Sequence, residues 1–115
     1  LAALRDSYGD ARVTTLPVLI NLGNDLFGLG RVREAREQDR EAEERCRENL
    51  ASDHVFLMMA RRNHLISRRA LGEDVEQEWD LFRQECADAY GDEHGYVITM
   101  DEFRRLDCDL MPVAR

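Results

Sequence analysis

The sequence predicts an all-α chain of stacked antiparallel helical hairpins, an α-solenoid fragment. Three observations predict it. Charged residues make up 35% and aromatics only 7% of the 115 residues, a balance that favours helix over strand. Apolar residues recur at three- and four-residue spacing along most of the chain. The sequence also repeats itself: Asn21 is followed nine residues later by Gly30, and Asn63 by Gly72, two pairs related by a shift of 42.

The same shift carries Leu29 onto Leu71 and Leu16 onto Met58, although it carries Leu26 onto Arg68. Tyr8-Gly9-Asp10 returns as Tyr90-Gly91-Asp92, 82 positions on and close to twice the period. His54 and His94 lie 40 apart in the matching stretches Ser52-Asp53-His54 and Asp92-Glu93-His94. The expected organisation is one helical-repeat domain over residues 1–115. Residues 1–8 end a preceding repeat, 9–50 form the first, 51–90 the second, and 91–115 a partial C-terminal repeat or cap.

Leu1, Ala2 and Leu4 read as the tail of a helix already under way, so a longer chain is expected upstream. The first full helix is expected from Thr14 to Leu29, on the spacing of Leu16, Leu19, Ile20, Leu22, Leu26 and Phe27. Thr14 or Thr15 can cap it, Pro17 is tolerated in its first turn, and Gly30 ends it. The second helix, Arg31 to Asn49, is mostly charged, with many Glu and Arg pairs three or four apart. Its apolar stripe is thin (Val32, Ala35, Ala42 and Cys46), so it must lean on neighbours. A third helix is expected over Asp53–Leu71. A fourth, Glu73–Tyr90, carries Val75, Trp79, Phe82, Cys86 and Ala89 on one face. A last one covers Tyr96–Leu110.

Composition excludes several functions. Sixteen basic and 24 acidic residues give a net charge of −8, which disfavours nonspecific nucleic-acid binding. No run approaches the roughly 18 apolar residues of a membrane span, and no secretory leader is visible. Cys46, Cys86 and Cys108 form no CxxC motif and read as reduced thiols of a cytoplasmic protein.

Gly91–Phe103 has the look of a calcium loop, but neither register puts carboxylates and glycine where such a loop needs them. The histidines and cysteines are too scattered for zinc. Cys86 near His94 suggests a nucleophile pair, yet Cys86 shares an apolar face with Trp79 and Phe82. Gly23, Gly28 and Gly30 follow no strand and precede no Gly-Lys-Ser/Thr, so they make no phosphate loop. No catalytic set, metal site or cofactor is implied, and an enzyme is not expected.

Asn21-Leu22-Gly23, Leu26, Gly30-Arg31, Glu34-Ala35 and Ala42, preceded by Gly9-Asp10 and Thr15-Leu16, resemble the tetratricopeptide repeat. The resemblance is to its form of about 42 residues, found in kinesin light chains and many bacterial signalling proteins. It implies a right-handed superhelical array. It also implies that a small residue of the first helix, Gly23, meets a small residue of the second, Ala35. The second unit departs there, with Leu65 and Gln77, so its helices should pack more loosely or rotated. The stretch Arg104–Pro112 resembles the terminal segment of repeat arrays in large actinobacterial proteins.

In that family the concave groove takes an extended peptide or a partner helix. The resemblance places Asn21 and Asn63 on the peptide backbone or on its terminal carboxylate; an amide donates and accepts at once, so it suits a peptide group. Asn24 shares a face with Asn21. Arg62 and Arg69 can meet an acidic ligand or carboxylate. Against this, the asparagines can simply brace neighbouring helices and the arginines can form a solvated face. The expected function is a non-catalytic protein-interaction module for a peptide or protein partner, another domain of the same chain among the candidates. Neither nucleic acid nor membrane is a partner. The alternative is a structural capping or oligomerisation segment that self-associates through the exposed end of the array.

Overall fold

Two helical hairpins and a short helical return make up the computed structural model, which describes residues 16–106. The helices are α1 (Leu16–Gly28), α2 (Val32–Asn49), α3 (Val55–Ala70), α4 (Glu76–Tyr90) and α5 (Gly95–Ile98), the last running into a 3-10 turn, Thr99–Glu102. All regular structure among the described residues is helical. The expected helix at 1–8, the Thr14 or Thr15 cap, Cys108 and the rest of the C-terminal stretch lie outside the described residues.

The 42-residue shift returns as backbone bonding. At the end of α1, Gly30 N–H donates to Phe27 O (3.0 Å) and Arg31 N–H to Leu26 O (3.0 Å). At the end of α3, Gly72 N–H donates to Arg69 O (2.9 Å) and Glu73 N–H to Arg68 O (3.1 Å). These are the two bonds of a Schellman stop, and both need a residue at positive φ. Gly30 (φ 80°) and Gly72 (φ 90°) supply it without a Cβ penalty.

The two histidine stretches also match. His54 Nδ1 accepts from Phe56 N–H at 3.0 Å, and His94 Nδ1 accepts from Tyr96 N–H at 3.1 Å. Each histidine is the N-cap of the following helix in extended geometry, and each satisfies a donor the helix cannot.

α1 and α2 approach closely, as do α2 and α3, and α1 also touches α3. The core joins Leu16, Leu19 and Ile20 of α1 to Ala42 and Cys46 of α2 and to Leu57, Leu65 and Ile66 of α3. Trp79 and Phe82 of α4, with Val97 and Met100, close its far side. Close approaches between α3 and α4 are few. At the positions of Gly23 and Ala35, this hairpin carries a buried Leu65 and an exposed Gln77, and a leucine side chain holds two backbones apart where glycine does not. Polar contacts tie the layers at their edges: a hydrogen bond between Glu43 and His64 (2.9 Å) and the ion pairs of Arg36 with Glu73 (2.7 Å) and Arg61 with Glu85 (2.6 Å). No helix of the described residues is long and apolar enough to cross a membrane.

The last helix differs from its expected span of Tyr96–Leu110. α5 stops at Ile98, the 3-10 turn ends at Glu102, and Phe103 adopts left-handed backbone (φ 53°, ψ 36°). The chain then leaves helical geometry through Leu106. The physical reason lies in its partners: the backbone of residues 104–106 bonds to side chains of α1 and α3 in place of its own helical ladder.

Candidate functional site

Residues 103–106 form a strap laid across α1, α2 and α3. Asn63 sits on α3, only 1% exposed. Its side-chain amide pairs with both backbone groups of Leu106: Oδ1 accepts from Leu106 N–H at 2.9 Å, and Nδ2 donates to Leu106 O at 2.7 Å. Asn24, across the groove on α1, donates from Nδ2 to the same carbonyl at 2.8 Å. Two side-chain amides from two helices thus hold the backbone N–H and C=O of one residue.

Arg105 inserts between them. Its Nη2 and Nη1 donate to Asp39 Oδ1 (2.7 Å) and Oδ2 (2.8 Å), the parallel fork in which guanidinium meets carboxylate best. Nε donates to Asn24 Oδ1 at 2.6 Å, and Nη1 also reaches Asn63 O at 3.2 Å. The Phe27 ring lies 4.7 Å from the guanidinium carbon, within cation–π range. Asp39 is 1% exposed, and the Arg105 side chain 10%.

Gly23 makes room for this pair. A Cβ there would stand 2.1 Å from Asp39 Oδ1 and 3.2 Å from Arg105 Nη2. Gly23 therefore faces the Asp39 carboxylate, one turn beyond the expected partner Ala35. Ala35 is itself fully buried on α2.

Arg62 holds the root of the strap. It is fully buried, and its guanidinium donates to three neutral oxygens: Arg104 O (2.7 Å), Tyr96 O (2.7 Å) and Thr99 Oγ1 (2.9 Å). Burial lowers its pKa to about 10, so it remains cationic at neutral pH. Arg62 thus donates to two carbonyls and a hydroxyl of its own chain. Arg69 lies over the Phe103 ring at 3.8 Å, and the other side of that neighbourhood is Trp79, stacked on Phe103 at 5.1 Å. Beside them opens a cavity of about 440 Å³ with Glu73, Asp74 and Asp80 on its walls.

Of the five side chains expected in the groove, Asn24, Arg62, Asn63 and Arg69 converge on the strap. Asn21 lies one turn before Asn24 on α1 and is half-buried. Asp39, Arg105, Phe27 and Phe103 were not legible as site residues. A signal existed for Asp39. It falls on the buried stripe of α2 with Ala35, Ala42 and Cys46, the one aspartate in a helix whose other acids are glutamates.

The described cysteines, Cys46 and Cys86, are free thiols and buried. Burial, with Glu43 nearby, pushes the Cys46 thiol up to about 12, and burial likewise raises Cys86. Both stay protonated at neutral pH and poor as nucleophiles.

Comparison with family models, with curated proteins and with solved structures gave no match to this chain.

Proposed function

We propose that the chain is a non-catalytic protein-interaction module, a tetratricopeptide-type helical array whose groove holds a non-helical segment of a partner through its backbone. The observation that carries this reading is the pair of hydrogen bonds at Asn63, which accepts from Leu106 N–H and donates to Leu106 O, reinforced by the donation from Asn24. Every residue except proline presents those two groups, so the same amides suit any segment that lies down in the strap's path.

A second reading, a structural cap that closes a repeat array, is favoured by the strap itself, since a groove filled by its own chain resembles a finished end. The two separate in one titration. A fluorescent hexapeptide with the sequence of residues 101–106 is added to the full chain carrying Arg105→Ala, which loosens the strap, and to the same chain with Asn63→Ala added. Circular dichroism first establishes that both are folded. Saturable binding by the first and loss of about tenfold or more in affinity by the second support the module, since two hydrogen bonds to a buried amide go with Asn63. Absence of binding by a folded Arg105→Ala chain supports the cap.

A further inference from the structure

The amides of Asn24 and Asn63 do not choose among sequences, but the socket beside them does. Its floor is a carboxylate that is 1% exposed. Its walls are Asn24 Oδ1 and Asn63 O, both acceptors. Its face is the Phe27 ring. Each of these matches a guanidinium: two parallel N–H groups for Asp39, a third for Asn24, a planar cation for the ring. An ammonium is a point charge and cannot span Asp39 and Asn24 in one plane. An apolar side chain would leave a buried carboxylate with no counter-charge, which is strongly unfavourable.

We propose, resting on the groove reading above, that this socket is the specificity pocket of the groove. It takes an arginine followed by an apolar residue in a partner protein, and Arg105-Leu106 is the chain's own copy of that motif, which the partner displaces. Leu106 packs against the core from the adjacent position, so the apolar residue has a seat as well. Charge favours the encounter: the chain carries a net −8, and the neighbouring cavity presents Glu73, Asp74, Glu76 and Asp80 against the single cation of Arg69.

The structure also marks how much of the strap exchanges. Val97 and Met100 are fully buried and Arg62 clamps the backbone at Tyr96, Thr99 and Arg104. That part stays. Beyond Arg104 the described strap is held by the Arg105 socket, the Leu106 amide pairs and the Leu106 seat, all of which an incoming Arg-apolar pair replaces one for one.

The test uses the wild-type full chain, labelled with ¹⁵N, and follows amide hydrogen exchange at Leu106, whose N–H is bonded to Asn63. The probe is the unlabelled hexapeptide of residues 101–106 in excess, against the same peptide with Arg105→Lys. The expected result is exchange at Leu106 accelerated by about tenfold or more with the arginine peptide and little changed with the lysine peptide. In the Asp39→Asn chain the two peptides should act alike. Equal action on the wild-type chain overturns the arginine socket while leaving the groove reading standing. No action by either, together with no binding in the Arg105→Ala titration, overturns both. Doubled mass in light scattering, with straps exchanged between copies and no response to peptide, makes a second copy the occupant and overturns a partner protein.

Discussion

Asp39 and Arg105 stand 66 positions apart and meet as a parallel two-bond pair that is nearly sealed from water. A pair of that kind does not add much over an apolar one, because desolvation offsets attraction, but losing one partner is costly. Here the cost has a ceiling. If Arg105 is removed, the strap can lift and water can reach Asp39, so the loss is limited to the docking energy of the strap. Arg105→Ala is expected to cost about 1–3 kcal/mol in urea unfolding. Asp39→Ala should cost a similar amount, and the double variant less than the sum by about 1.5–3 kcal/mol. Additive costs would mean that the pair is not energetically coupled.

The two glycines of α1 should respond in opposite directions. Gly23→Ala drives a methyl into Asp39 Oδ1, and the short side chain, which accepts a hydrogen bond from Arg105 at each carboxylate oxygen, cannot swing aside. A loss of about 1–3 kcal/mol is expected, with faster exchange at Leu106 as the pair is disturbed. At Gly28 a Cβ would meet nothing within 4 Å. Gly28→Ala should stabilise by up to about 1 kcal/mol, because alanine loses less backbone entropy in a helix. Thermal denaturation of the two variants beside wild type checks both.

Arg62 donates to three oxygens that have to be satisfied together. Arg62→Ala takes the donor from two partly buried carbonyls and a hydroxyl and empties the space of a fully buried side chain, and is expected to cost about 3 kcal/mol. Arg62→Lys should recover little of this, since one ammonium cannot reach Arg104 O, Tyr96 O and Thr99 Oγ1 with fork geometry. Rescue to wild-type stability by lysine would show that charge alone, rather than the guanidinium fork, holds the strap root.

Acid should weaken the tie between α2 and α3. Burial raises the Glu43 pKa, but hydrogen bonds from His64 and Arg47 outweigh it and set the value at about 2. A carboxylate depressed in the folded state stabilises it fully above its unfolded pKa of about 4.5 and loses that contribution as pH falls toward 2. Stability should therefore fall by on the order of 2 kcal/mol from this group between about pH 5 and pH 2. Glu43→Gln should be less stable at pH 7 and show a shallower loss over the same window. An unchanged slope in that variant would assign the acid sensitivity to other carboxylates.

The repeat was legible because it is written in residues with narrow backbone roles. Gly30 and Gly72 stop helices at positive φ, and His54 and His94 cap them, so a shift seen in letters returned as matching hydrogen bonds. Asn63 was singled out through the family resemblance, as a ligand for a partner's backbone or as a brace, and in the structure it bonds the backbone of its own chain at Leu106. The strap was not. Arg104-Arg105-Leu106 follows apolar residues at helical spacing, and local pattern alone continues the helix. Tertiary bonds to Asn24, Asp39 and Asn63 decide against it. Asp39 stayed hidden among the glutamates of α2, where charge normally means a solvated surface.

The most direct measurement follows the side-chain amide resonances of Asn24 and Asn63 in the ¹⁵N-labelled Arg105→Ala chain as the hexapeptide of residues 101–106 is added. The expected result is saturable movement of both amides at one peptide per chain. Binding that leaves both amides unmoved, or no binding to the folded chain, would contradict a groove that holds a partner by its backbone.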